Sequence, residues 1–309
     1  VVVSSDKTNM TKKVEILEAV LNGLMTRYRE RVPDVQAILY TMVQKGIITS
    51  TDEIQNDHIA FRTMGVENLG IASLEKIFLH YGYEKKDYYQ FPAKKLTAYW
   101  YAPPLPHFPR IFISQLMVDQ LSDKNNAIIR SYTNEVKRDP ADMLNLDNPV
   151  QVDDFLHKPL WRTPSWQDYQ SLSKESEYAA WVIYNRYYLN HFTISVHKLP
   201  DGFNTISQFN DFLEENGFQL NDSGGKIKTS QDGLLIQSST VAEMIDAEFA
   251  SNTGEPVLKK ISGSYVEFAE RRLLDSTGNI DGERRDGFEV NNADRIFEST
   301  YKEQTQRRD

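Results

Sequence analysis

The chain has 309 residues, 40% of them hydrophobic and 11% aromatic, which suits a folded protein with a sizeable core. A formal net charge of -9 without any basic run argues against a nucleic-acid partner, and no apolar stretch approaches the roughly 20 residues of a membrane helix. There are no cysteines, which excludes disulfides, thiolate metal sites and cysteine nucleophiles and leaves His, Asp and Glu to hold any metal.

The opening VVVSSDKTN carries neither an initiator Met nor a signal-peptide pattern and reads as a trimmed start. Residues 9–31 place Met10, Val14, Leu17, Leu21, Leu24 and Tyr28 at helical spacing, and Pro33 opens a second amphipathic helix that Gly46 stops. Together they predict a helical hairpin over 8–48. Residues 54–116 read as the strand DHIAFR, the helix SLEKIFLHYGY capped by Ser73, and the strands KKLTAYWYA and PRIFISQL. Residues 117–190 read as a mostly helical, polar insert, with VQVDDFLHKPLWRTPSWQDYQ as a loop. The first order then returns over 191–273: the strand HFTISVHKL, the helix TISQFNDFLEENG, the strands KIKTS and GLLIQSST around the turn SQDG, and the closing strand GSYVEFAERRL. The tail, 274–309, reads as a charged, glycine-rich loop, a short helix beginning near Asn292 and a frayed TQRRD. The predicted class is α+β: two βαβββ copies in a single catalytic domain, with extra helices before and between them.

In NDHIAFRT, strand alternation puts His58, Ala60 and Arg62 on one face. A core histidine beside an edge arginine in a surface salt bridge would suit that pattern; an arginine turned inward needs an anionic partner. His191 holds the matching place in the second copy. In GSYVEFAER, Tyr265, Glu267, Ala269 and Arg271 share a face. Two imidazoles and one carboxylate make a facial triad with open coordination positions, a pattern that favours oxygen-activating non-haem Fe(II), although the same donors suit Mn, Ni, Co or Zn. His197 stands ~20 Å along a strand from His191, too far for the same ion, and reads as a surface or second-layer residue. His80 (helix), His107 (proline turn) and His157 (loop) read as structural or exposed, and Glu270 as facing solvent or a partner strand. No serine has a recognisable histidine–acid relay. Gln237 suits packing and a substrate contact equally. The helix start in VNNADRIFES offers the backbone of Val290 and Asn291 as substrate-binding contacts to a substrate carboxylate, or is a plain cap.

DHIAFR, NHFTISVH and GSYVEFAER, in that order on duplicated units, resemble the vicinal-oxygen-chelate superfamily, whose paired units form a half-barrel. FPAKKLTAYWYAPP and RRDGFEVNNADRIFEST narrow the resemblance to the 2-oxoadipate dioxygenase/decarboxylase (2-hydroxyglutarate synthase) family, especially its plant plastid members, over about residues 10 to 300. The resemblance implies an enzyme that converts 2-oxoadipate and O2 to 2-hydroxyglutarate and CO2 in lysine catabolism, within a plastid. It implies Fe(II) held by His58, His191 and Glu267, with Arg62 gripping a substrate carboxylate. The partners expected are a small 2-oxo dicarboxylic acid and O2, with no nucleic acid and no membrane. Two other readings stay open: a different metal-dependent enzyme of the superfamily, cleaving catechols or isomerising its substrate, and a non-catalytic plastid binding protein. Catechols have no distal carboxylate for Arg62 to meet.

Overall fold

The computed structural model describes residues 2–275 and 282–308, with side chains from Met10 onward. Helix α1 (Val2–Arg31) is longer than its sequence pattern, and it buries Leu17, Val20, Leu21, Leu24 and Tyr28 at spacings of three and four. Met10, expected inward, is 68% exposed. Pro33 begins α2 (Pro33–Gln44), where its missing N–H costs nothing.

β1 (Asn56–Met64), α3 (Ile71–His80), β2 (Glu84–Phe91), β3 (Leu96–Ala102) and β4 (Arg110–Leu116) follow. Helix α3 starts two residues before Ser73. Gly70 turns the chain at φ +85°, Gln115 Oε1 accepts the Ile71 amide at 2.9 Å, and Ser73 donates to Asp139 at 2.6 Å instead of capping. The connecting segment holds α4 (Asp123–Thr133), α5 (Pro149–His157), α6 (Trp166–Glu175) and α7 (Glu177–Asn185). Helices α5 and α6 replace an expected loop because each has its own start signal. Asn148 accepts the Val150 and Gln151 amides ahead of Pro149, and Ser165 accepts the Asp168 amide. His157 therefore sits on a helix.

The second half runs β5 (His191–Ser195), α8 (Ile206–Glu215), β6 (Lys228–Thr229), β7 (Leu235–Ser239), β8 (Met244–Phe249), β9 (Val257–Ser262) and β10 (Tyr265–Arg271), then α9 (Val290–Phe297) and α10 (Lys302–Thr305). The hairpin β8–β9 has no counterpart in the first half and was not legible as strands. It pairs only with itself and packs Ala247, Phe249 and Ile261 against Trp166, Tyr169 and Tyr184. The expected fraying is not seen as far as Arg308, which pairs with Asp34 and Glu243, while Arg307 pairs with Asp222 at 2.6 Å. Part of the expected charged, glycine-rich loop, residues 276–281, lies outside the described residues. No helix among the described residues is long and apolar enough to cross a membrane.

The remaining eight strands form one curled sheet in the order β2-β3-β4-β1-β5-β10-β7-β6. The two halves meet where β1 and β5 run antiparallel, and each central strand has the last strand of its own half as a parallel neighbour. The registers match: His58 pairs with Arg110 and Ala60 with Phe112, while His191 pairs with Tyr265 and Thr193 with Glu267. This is the half-barrel arrangement of duplicated units, with both histidines on the central strands.

Candidate metal centre

The N-terminal ends of β1 and β5 and the middle of β10 bring three donors together. His191 Nε2 lies 3.3 Å from His58 Nε2 and 2.9 Å from Glu267 Oε2, and His58 Nε2 lies 3.4 Å from Glu267 Oε1. All three residues are buried, Glu267 and His58 to within 1% of exposure. Side chains bonded to one ion at about 2.0–2.2 Å stand roughly 3 Å apart when they occupy adjacent positions, so these separations fit a single metal ion. The orientation of the rings fits as well. Each Nδ1 already has an acceptor, Asp57 Oδ2 at 2.8 Å for His58 and Asn190 Oδ1 at 2.9 Å for His191, which leaves both Nε2 lone pairs facing the carboxylate.

The electrostatics of the two rings differ because their supports differ. Burial works against a charged His58, but Glu267 and Asp57 outweigh it and raise its pKa; burial lowers that of His191, whose support is a neutral amide, and Glu267 offsets only part. Burial alone would raise Glu267, yet the two imidazoles draw it down to about 2. Asp57 is held well below the ordinary carboxylate range: burial opposes ionisation, and Arg271 overrides it through contacts at 2.7 and 3.0 Å. On the other side, Gln237 donates to Glu267 Oε1 at 2.5 Å, and Asn292 donates to Gln237 at 2.9 Å. Asp57→Asn should therefore weaken metal binding about 10- to 100-fold in a chelator competition. It should also lower stability by about 3–5 kcal/mol, because Arg271 loses its buried partner.

Arg62 faces the same cavity from two turns of alternation along β1, in line with Ala60 and His58. It is 1% exposed and has no carboxylate partner among the described residues. Its guanidinium donates to Thr300 Oγ1 at 2.9 Å and to the Phe297 carbonyl at 3.0 Å, with the faces of Tyr178, Trp181 and Phe297 within 5.1–5.7 Å. Phe112, Phe288, Ile296 and Phe297 supply apolar walls to the cavity.

Other expected residues fall elsewhere. Val290 is half-buried and Asn291 exposed at the start of α9, and neither lines the cavity. The helix presents Ala293, Ile296 and Phe297 to it, and Asn292 supports Gln237. Glu270 is buried rather than facing solvent, accepting the Ile206 amide at 2.8 Å and pairing with Arg272. His197 is a second-layer group that accepts the Arg271 amide at 3.2 Å. Asp57 and Asn190 were missed by sequence reasoning. Their signal was present, an acceptor side chain immediately before each of the two histidines in DH and NH.

The family model for 2-oxoadipate dioxygenase/decarboxylase matches residues 20–280. The chain is 42% identical to the chloroplastic 2-oxoadipate dioxygenase/decarboxylase of Arabidopsis thaliana, over 99% of this chain and 83% of the relative. Its fold is similar to that of the hydroxyglutarate synthase of Oryza sativa solved in complex with 2-oxoadipate, with a TM-score of 0.85 and 39% identity over 95% of each chain. A protein of Ralstonia eutropha described as of the glyoxalase superfamily shares the fold at a TM-score of 0.71 and 19% identity, covering 90% of this chain and 87% of its own. By the family model and by its identity to the Arabidopsis relative, the chain belongs to the 2-oxoadipate dioxygenase/decarboxylase family.

Proposed function

We propose that the chain is an Fe(II)-dependent dioxygenase/decarboxylase that converts 2-oxoadipate and O2 to 2-hydroxyglutarate and CO2. The observation that carries this reading is one buried cavity with three convergent metal donors and, facing it, an arginine without an acidic partner among the described residues. Iron held by His58, His191 and Glu267 would supply a chelation point for the 2-oxo carboxylate and the activation of O2. The atoms balance without a second reductant. The C1–C2 bond breaks and C1 leaves as CO2; C2 takes one oxygen atom to become the new carboxylate; C3 exchanges a hydrogen for hydroxyl with the other. O2 accepts four electrons, two from the decarboxylation and two from the hydroxylation.

The protein's own share is placement and exclusion of water. Arg62 offers a planar fork to the distal carboxylate, which sets the substrate's direction in the cavity. Asp57 and Asn190 keep each histidine's proton on Nδ1, and Gln237 holds Glu267 in place. Phe112, Phe288 and Phe297 keep the reacting carbons away from bulk water. Arg62 also favours this reading over catechol cleavage, since a catechol offers it no charge. A plastid location is read from the likeness to the chloroplastic relative.

The test is anaerobic loading with Fe(II), then addition of 2-oxoadipate and O2. Equal molar consumption of both, with one CO2 and one 2-hydroxyglutarate formed, is the expected result, and with ¹⁸O2 two labelled atoms enter the product. A folded, iron-loaded protein that takes up no oxygen with this substrate overturns the assignment.

A further inference from the structure

Three polar atoms that border the cavity have no hydrogen-bond partner among the described residues: Arg62 Nε, the Tyr265 hydroxyl and Asn190 Nδ2. Other unpaired buried atoms are scattered through the described residues, but these three gather around the one cavity that holds the metal donors, where a polar ligand would meet them. All three can donate, which suits a ligand that brings acceptors.

The case of Asn190 follows from the metal centre. A His191 that gives Nε2 to an ion keeps its proton on Nδ1 and donates it to Asn190 Oδ1, which fixes the amide's orientation and so the place of Nδ2. Arg62 and Tyr265 remain as a pair. Tyr265 is buried to 1% exposure, and its hydroxyl lies beside Arg62 and Ser299. Its ring stacks on His191, centroids 4.8 Å apart at 28°. It is paired with His191 across the sheet and precedes Glu267 by two residues, on the same face of β10. The Tyr28 hydroxyl donates to the Tyr265 carbonyl and fixes the strand there. A phenylalanine would satisfy every one of these packing contacts, so what the hydroxyl adds is its place beside Arg62 and Ser299 at the cavity.

We infer that Tyr265 is a substrate-binding residue: its hydroxyl and Arg62 Nε together grip the distal carboxylate, and so select 2-oxo dicarboxylic acids over 2-oxo monocarboxylic acids of the same length. The inference rests on the reading of the cavity as a site for a 2-oxo dicarboxylic acid, and adds the group that measures the far end. Arginine alone would attract any anion. A neutral donor beside it adds direction, because both must meet one carboxylate at once.

Tyr265→Phe tests this with the ring kept. The KM for 2-oxoadipate should rise about 10- to 100-fold, the scale of a lost hydrogen bond to a charged group. The KM for 2-oxohexanoate, which lacks the distal carboxylate, should change less than about twofold, and iron content should equal that of the wild type. In anaerobic calorimetry, wild-type protein should bind adipate more tightly than hexanoate, and the variant should lose that preference. Equal shifts for both substrates, or no shift for either, overturn the role of Tyr265. Failure of the catalytic reading looks different: wild-type protein would not consume 2-oxoadipate, while the adipate preference and its dependence on Tyr265 would still be read from binding alone.

Discussion

His58→Ala leaves a protein that folds but retains less than about a tenth of an equivalent of iron, and its turnover of 2-oxoadipate falls at least about 1,000-fold. The reasoning is geometric. Three donors are the minimum that the cavity offers among the described residues, and no other His, Asp or Glu cluster there could replace the lost imidazole. The Glu267 carboxylate then remains with one imidazole and the Gln237 amide, too few groups to hold an ion against water and chelators. Metal analysis after dialysis and oxygen uptake check the two halves of this expectation. A thermal scan supplies a third measure, since a ligand bound only to the folded state stabilises by mass action. Added Fe(II) should raise the melting temperature of the wild type and leave that of the variant where it was.

Arg62→Met should separate binding from folding. The variant is expected to raise the KM for 2-oxoadipate about 100-fold or more, equivalent to about 2.7 kcal/mol, while keeping its iron. Arg62 is a buried cation whose company is neutral: the Thr300 and Tyr265 hydroxyls, a carbonyl and three aromatic faces. Holding it there in the absence of an anion is costly, so its removal relieves a penalty that partly offsets the two lost hydrogen bonds. The melting temperature should therefore stay within about 5 °C of the wild type. Arg62→Lys should restore little, because a point charge cannot reproduce the fork. A variant that binds 2-oxoadipate as well as the wild type would remove Arg62 from the site.

Much of this site was legible because it depends on local alternation. His58, Ala60 and Arg62 share a face by strand geometry alone, and the return of the same element order marked His191 as the partner of His58. Glu267 followed from its place on the closing strand. What escaped was contact between distant segments. Nothing around Asp57 announces that Arg271, more than two hundred residues on, will grip it. The unpaired state of the Tyr265 hydroxyl is visible only when every neighbour is in place. Helices α5 and α6 were hidden for a different reason: their prolines and serines read as loop signals but act as helix starts, with Pro149 in the first turn and Ser165 as a cap. The Arg307 and Arg308 side chains read as a loose terminus because the carboxylates that anchor them, Asp222, Asp34 and Glu243, lie far away in the chain.

The matched registers of the two central strands have a consequence for how the duplicated template came to be reactive. Counting from each histidine, Phe112 stands in the first copy where Glu267 stands in the second, and Arg62 stands where the second copy has Ser195. Twins that had stayed alike would enclose an ion with four protein donors and present the same wall to either end of a guest molecule. A phenyl ring in place of one carboxylate leaves a flank unclaimed by the polypeptide. A guanidinium on one side only tells an elongated acid which way round to lie.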